Sequence, residues 1–237
     1  MNRLYQKSEL LFSLLWIGLY VVLFSIADNI SIIIGIDKCI TAVIALVFVI
    51  ILVYWIKKQG LIKKYGLCKL KISFKSCGYF IPLILIASCN FWNGIKGNDA
   101  LLETILFIIS MIAVGIIEEI IFRGFLFKAL SKDDLTTAII ISSVTFGFGH
   151  IVNLLNGAPL FSTILQIIYA TAVGFAFTIV FYRSGSLIPC IITHSFVNAT
   201  SIFMIEASIQ QEMIFAIIMS MIAIIYGLWL YQVKVWF

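Results

Sequence analysis

The chain has 237 residues, of which 62% are hydrophobic and 11% charged, with a formal net charge of +5; its mean hydropathy is +1.14. No water-soluble domain of this length can bury so much apolar surface, which leaves an integral membrane protein. The dominance of Phe, Ile, Leu and Val over 3 prolines, without an alternating polar pattern, excludes a membrane β-barrel and favours long helices.

Eight stretches approach the roughly 20 apolar residues that a spanning helix needs. They run over 10–27, 39–56, 77–93, 101–130, 135–155, 161–182, 187–205 and 212–232. The expected fold is therefore all-α, a polytopic membrane protein of about eight transmembrane helices, with 1–237 as one domain. With the N-terminus inside, the cytoplasmic segments hold Arg3, Lys7, Lys57, Lys58, Lys63, Lys64, Lys69, Lys71, Lys75, Lys128, Lys132, Arg183 and Lys234. The outer segments hold only Lys38 and Lys96. This asymmetry predicts a multi-pass protein of a cell membrane with both termini cytoplasmic. The positive charge is thus read as topology, and no nucleic-acid partner is expected.

Residues 57–76 are basic and half apolar, which fits either an interfacial helix gripping anionic lipid or a solvated loop. Ser25-Ile-Ala27 has the form of a signal-peptide cleavage site. The apolar region before it is long for that role, so cleavage is not expected. The five cysteines are scattered without a CxxC pair and are read as packing residues.

Against this background, three polar clusters stand out. The fourth stretch contains Glu118-Glu119-Ile-Ile-Phe-Arg123. On a helix, Glu119 and Arg123 share a face at i,i+4 in the favourable order, which predicts an ion pair and leaves Glu118 to face elsewhere. The fifth carries Phe146-Gly-Phe-Gly-His150, and the seventh His194-Ser-Phe-Val-Asn198; these are the chain's 2 histidines. Each cluster alone has a plain packing reading: a protonated carboxyl, a core imidazole, an interhelical clasp. Ionisable groups at membrane depth nevertheless cost roughly 2.5–3.5 kcal/mol each on insertion scales. Measured along their helices, the three clusters fall at one depth, a mid-membrane layer expected to be reached from the cytosolic side.

These groups suit hydrolysis by activated water. Glu118 is the candidate base, His150 a group that positions the water, and His194 with Asn198 the donors to an oxyanion. No GxSxG or HExxH motif is present. Cys190 lies one turn before His194, a spacing more typical of packing than of a nucleophile.

The set of motifs resembles the membrane-embedded CPBP proteases, also described as type II CAAX endopeptidases or bacteriocin-processing enzymes. The family's EExxxR reads here as Glu118-Glu119-Ile-Ile-Phe-Arg123 and its FxxxH as Phe146-Gly-Phe-Gly-His150. The third motif falls on His194 and Asn198, and the likeness covers about residues 75–205. The resemblance implies an intramembrane endopeptidase with Glu118 as base, His150 beside the water, and His194 with Asn198 at the oxyanion. It also leaves open a zinc-dependent reaction in which Glu118, His150 and His194 hold the metal; the metal-free reading is preferred. The Ile- and Lys-rich composition looks bacterial, so a secreted or membrane-associated peptide in or at the lipid bilayer is the expected substrate. The alternative class is a non-catalytic immunity or binding protein on the same scaffold.

Overall fold

The computed structural model describes residues 1–69, 78–98 and 100–233. Among them, six helices are long and apolar enough to cross a membrane. These are α1 (Glu9–Ile34), α2 (Cys39–Lys58), α4 (Leu101–Leu130), α5 (Leu135–Asn156), α6 (Leu160–Ser184) and α8 (Ile209–Gln232). Two apolar helices are shorter, α3 (Gly78–Ala87) and α7 (Ile188–Phe203). The all-α, roughly eight-helix architecture read from the sequence is what the chain adopts, but its third and seventh stretches are shortened.

The reason for the shortening is visible where they end. After α3 and α7 the backbone opens into two segments that pair with each other: Lys96 donates its N–H to the carbonyl of Phe203 at 2.9 Å, and Ile95 and Met204 form an antiparallel bridge. The Asn93 amide adds a bond to the carbonyl of Glu206. Backbone that leaves a helix at membrane depth has to find partners within the protein, and these segments find them in each other.

The helix starts follow local chemistry. Asp134 caps α5 by accepting from the Thr137 N–H, and Ser208 with Gln211 forms a capping box on α8. The basic end of the bundle is tied by Lys64 and Lys132, which both reach Glu9. Of the basic 57–76 segment, residues 59–69 form turns and carry no helix. Tyr65 is buried there against Phe125; residues 70–76, like Cys77 and Lys234, lie outside the described residues.

Two glycines bring together the helices that carry the polar clusters. A Cβ on Gly115 of α4 would lie 2.6 Å from Ser195 Oγ and 2.8 Å from its Cα on α7. A Cβ on Gly147 of α5 would lie 2.7 Å from the backbone nitrogen of Thr171 on α6. Small residues at such crossings let membrane helices approach backbone to backbone. Gly115 precedes Glu118 by one turn and faces the residue next to His194, so this crossing sets the distance between acid and imidazole.

Gly115→Ala must therefore push α7 away from α4, and such overpacking typically costs about 1–3 kcal/mol. Thermal unfolding of the purified protein in detergent should show a lowered Tm; an unchanged Tm would contradict the close crossing.

Candidate active site

The acid pair sits where α4 changes its winding. The helix is α-helical as far as Glu118 and π-helical from Glu119 to Phe127. Segments of π-helix are costly and concentrate at functional sites. Every residue of this one is buried.

Arg123 Nη1 donates to Glu119 Oε1 at 2.9 Å, and neither side chain is exposed. This is the ion pair that the i,i+4 spacing predicts. Among the described residues the rest of the guanidinium finds no hydrogen-bond acceptor, since Nε and Nη2 are buried without one. Aromatic faces take their place: the guanidinium carbon lies 3.9 Å from the centre of the Phe146 ring and 5.7 Å from that of Phe177. A cation desolvated against aromatic rings gains a couple of kcal/mol from their quadrupoles, about 2 in buried cases.

His194 links the two glutamates. Its Nδ1 lies 2.8 Å from Glu119 Oε1, and its Nε2 lies 3.2 Å from Glu118 Oε2. Phe146 and Phe177 flank the imidazole ring. Glu118 is not free, as the sequence reading had it: it holds this contact and accepts a 2.7 Å hydrogen bond from the Tyr20 hydroxyl of α1. Tyr20 escaped the sequence reading because one tyrosine in an apolar span carries no motif.

The proton inventory of this chain follows from its connectivity. Arginine stays charged, so Glu119 beside it is an ionised, acceptor-only carboxylate. His194 therefore carries a hydrogen on Nδ1. A bare Nε2 lone pair facing an ionised Glu118 would repel it, so one proton belongs between them. The two groups share it either as a neutral acid with a neutral imidazole or as a carboxylate with an imidazolium.

A cavity of about 820 Å³ lies against this chain. Glu118, Tyr20, His150 and Asn198 line it, and Phe122 and Phe146 contribute aromatic wall. Phe146 stands between the two imidazoles, 5.6 Å from the His150 ring centre and 5.5 Å from that of His194. Glu118, His150 and Asn198 are thus brought to one space. His194 is not in the lining and sits behind Glu118 with both ring nitrogens engaged, so donating to an oxyanion would require it to release one of them.

The zinc alternative assigned to Glu118, His150 and His194 meets a geometric obstacle. Among the described residues, no three His, Cys, Asp or Glu side chains are grouped to hold one metal ion. Cys190 is buried, with its thiol donating to the Phe177 carbonyl at 3.4 Å, which is the packing role read from its position.

Comparison with known proteins gives one family match. Residues 100–200, which carry all three motifs, match the family described as type II CAAX prenyl endopeptidase Rce1-like. This is the family of intramembrane proteases that the motifs resemble. Nothing matches among curated proteins or among solved structures.

Removing Arg123 leaves Glu119 charged and buried without its partner, a change that typically costs about 3–5 kcal/mol. Arg123→Ala should sharply reduce the yield of monodisperse protein on size exclusion in detergent. Wild-type yield and Tm would show that Glu119 is neutral without it.

Proposed function

From a core matching the type II CAAX prenyl endopeptidases, we propose that this protein is an intramembrane endopeptidase that hydrolyses a membrane-associated or secreted peptide with a Glu118-activated water. The observation that carries this reading is the cavity wall itself, where a carboxylate bonded to Tyr20 and backed by His194 meets His150 and Asn198.

In this mechanism the substrate peptide lies in the cavity with its scissile carbonyl between Glu118 and Asn198. Glu118 takes a proton from the attacking water while the water oxygen bonds to the carbonyl carbon. His194 holds the Glu118 carboxyl in place and adjusts to its charge, because the proton they share can sit on either partner. Positioned acid–base groups of this kind typically contribute about 10²–10⁴ in rate. His150 positions the water, and the Asn198 carboxamide donates to the carbonyl oxygen as it becomes an oxyanion. The tetrahedral intermediate collapses when the C–N bond breaks and Glu118 returns the proton to the leaving amine. Tyr20 donates to Glu118 Oε1 throughout and holds that oxygen at the cavity wall.

In this reading no step is routed through a metal; among the described residues no three His, Cys, Asp or Glu side chains are grouped to hold one. Glu119 and Arg123 take no part in the bond changes; they orient His194 from behind.

Cleavage of a peptide library by the purified protein in nanodiscs tests the reading. Glu118→Gln should abolish turnover at unchanged Tm. Asn198→Ala should lower kcat by about 10²–10³, the usual worth of one oxyanion donor, with little change in peptide affinity. Full activity of both variants would assign the cavity to binding, as in an immunity protein.

A further inference from the structure

The cavity is one-sided. Along α1 its lining begins at Ile17, one turn before Tyr20, and continues to Asp28. Asp28 lies eight residues beyond Tyr20, or about 12 Å along the helix axis. Lys38 in the α1–α2 connection and Asn156 at the end of α5 line it too, as does Met204 after α7. All four belong to the end of the bundle that carries few lysines. Among the described residues, none of the lysines and arginines of the opposite end lines the cavity.

Toward that basic end the way is blocked. Phe125 follows Glu118 by seven residues on α4 and is packed edge-on against Phe12, Trp55 and Tyr65. All four are at most 8% exposed. Arg123 and Phe177 fill the layer between this aromatic plug and the catalytic glutamate. Protein interiors packed this way leave no route for a peptide chain.

The distribution of charge then gives the open end its side of the membrane. Lys57, Lys58, Lys63, Lys64, Lys128, Lys132 and Arg183 collect at the plugged end, whereas Asp37, Glu103, Glu206 and Glu212 surround the open one with Lys38 and Lys96. The excess of lysine and arginine marks the cytoplasmic side. The expectation from sequence, that the site is reached from the cytosol, is therefore reversed by the cavity's direction.

We infer that the cavity receives its substrate from the extracytoplasmic side, so that the substrate class is an exported peptide or the external segment of a membrane-anchored one. The inference rests on the hydrolytic reading for the word substrate, but the direction of access does not depend on it. The lining chemistry fits an extended polypeptide. Asn153, whose amide bonds Gln166 Oε1 at 2.8 Å, and Asn198 present carboxamides, which pair with peptide N–H and C=O alike.

The test is thiol labelling of the full-length protein in intact cells with a small membrane-impermeant methanethiosulfonate, read against the unsubstituted protein. Asn156→Cys reports the mouth, Ser201→Cys the cavity interior and Lys58→Cys the basic end. Asn156→Cys and Ser201→Cys should react in intact cells, and Lys58→Cys only after permeabilisation. The reverse pattern would overturn the inference, as would a Ser201→Cys that reacts only after permeabilisation or not at all while Asn156→Cys is labelled. Failure of catalysis would appear separately, as an absence of peptide cleavage with this labelling pattern intact.

Discussion

The structure of the site depends on burying Arg123 and Glu119 together, with no exposure to solvent, at the level of the membrane where charge is least welcome. Taking two ions out of water costs several kcal/mol each, and their mutual attraction repays that only when other partners complete the arrangement. Here the completion is asymmetric. The guanidinium lies against the faces of Phe146 and Phe177, whereas Glu119 Oε1 takes both the Arg123 donor and the Nδ1 hydrogen of His194, leaving Oε2 buried without a hydrogen-bond partner among the described residues. The ion pair thus fixes the tautomer and the orientation of an imidazole on another helix. That imidazole presents its second nitrogen to Glu118. One pair of charges deep in the bundle decides how a neighbouring carboxyl meets the cavity.

The other features of the bundle serve the same geometry. A π-helical stretch starts at Glu119, directly after Glu118, and a glycine crossing at Gly115 lets α7 approach within backbone contact. The shortness of α3 and α7 leaves room for polar connections that pair with one another at the lysine-poor end. The cavity occupies the lysine-poor half of the bundle. The other half is packed with aromatic side chains and keeps the ionic chain dry, which strengthens every electrostatic interaction in it.

Much of this was legible in the sequence, because membrane depth makes polar residues conspicuous. Apolar stretch lengths gave five of the six long helices to within three residues at each end, while α1 runs seven residues past its expected end at 27; the Glu119–Arg123 pair followed from i,i+4 spacing alone. The shortened α3 and α7 did not follow, since Cys89, Phe91 and Trp92 after Ala87, and Met204 and Ile205 after Phe203, keep the average apolar although Asn90, Asn93 and Gly94 already interrupt the third stretch. Tyr20 and the bridging position of His194 were also hidden: both depend on which faces of distant helices meet, and that is set by crossings such as Gly115 against Ser195. Helix periodicity places the clusters at one depth, but it does not say on which side of them the interior is empty. The direction of the cavity is decided by the packing of Phe12, Trp55, Tyr65 and Phe125, four aromatics that the sequence offers no reason to group.

Glu118, His194, Glu119 and Arg123 form one chain in which His194 carries a hydrogen on Nδ1 and shares a second proton with Glu118. With 2 histidines in the chain, ¹⁵N NMR of selectively labelled protein in nanodiscs addresses it directly, with His150→Gln assigning the spectrum. The expected spectrum shows a protonated Nδ1 on His194 and a large shift of its Nε2 resonance on Glu118→Gln, while the His150 signals move little. A His194 protonated only on Nε2, or an Nε2 resonance indifferent to Glu118→Gln, would contradict it.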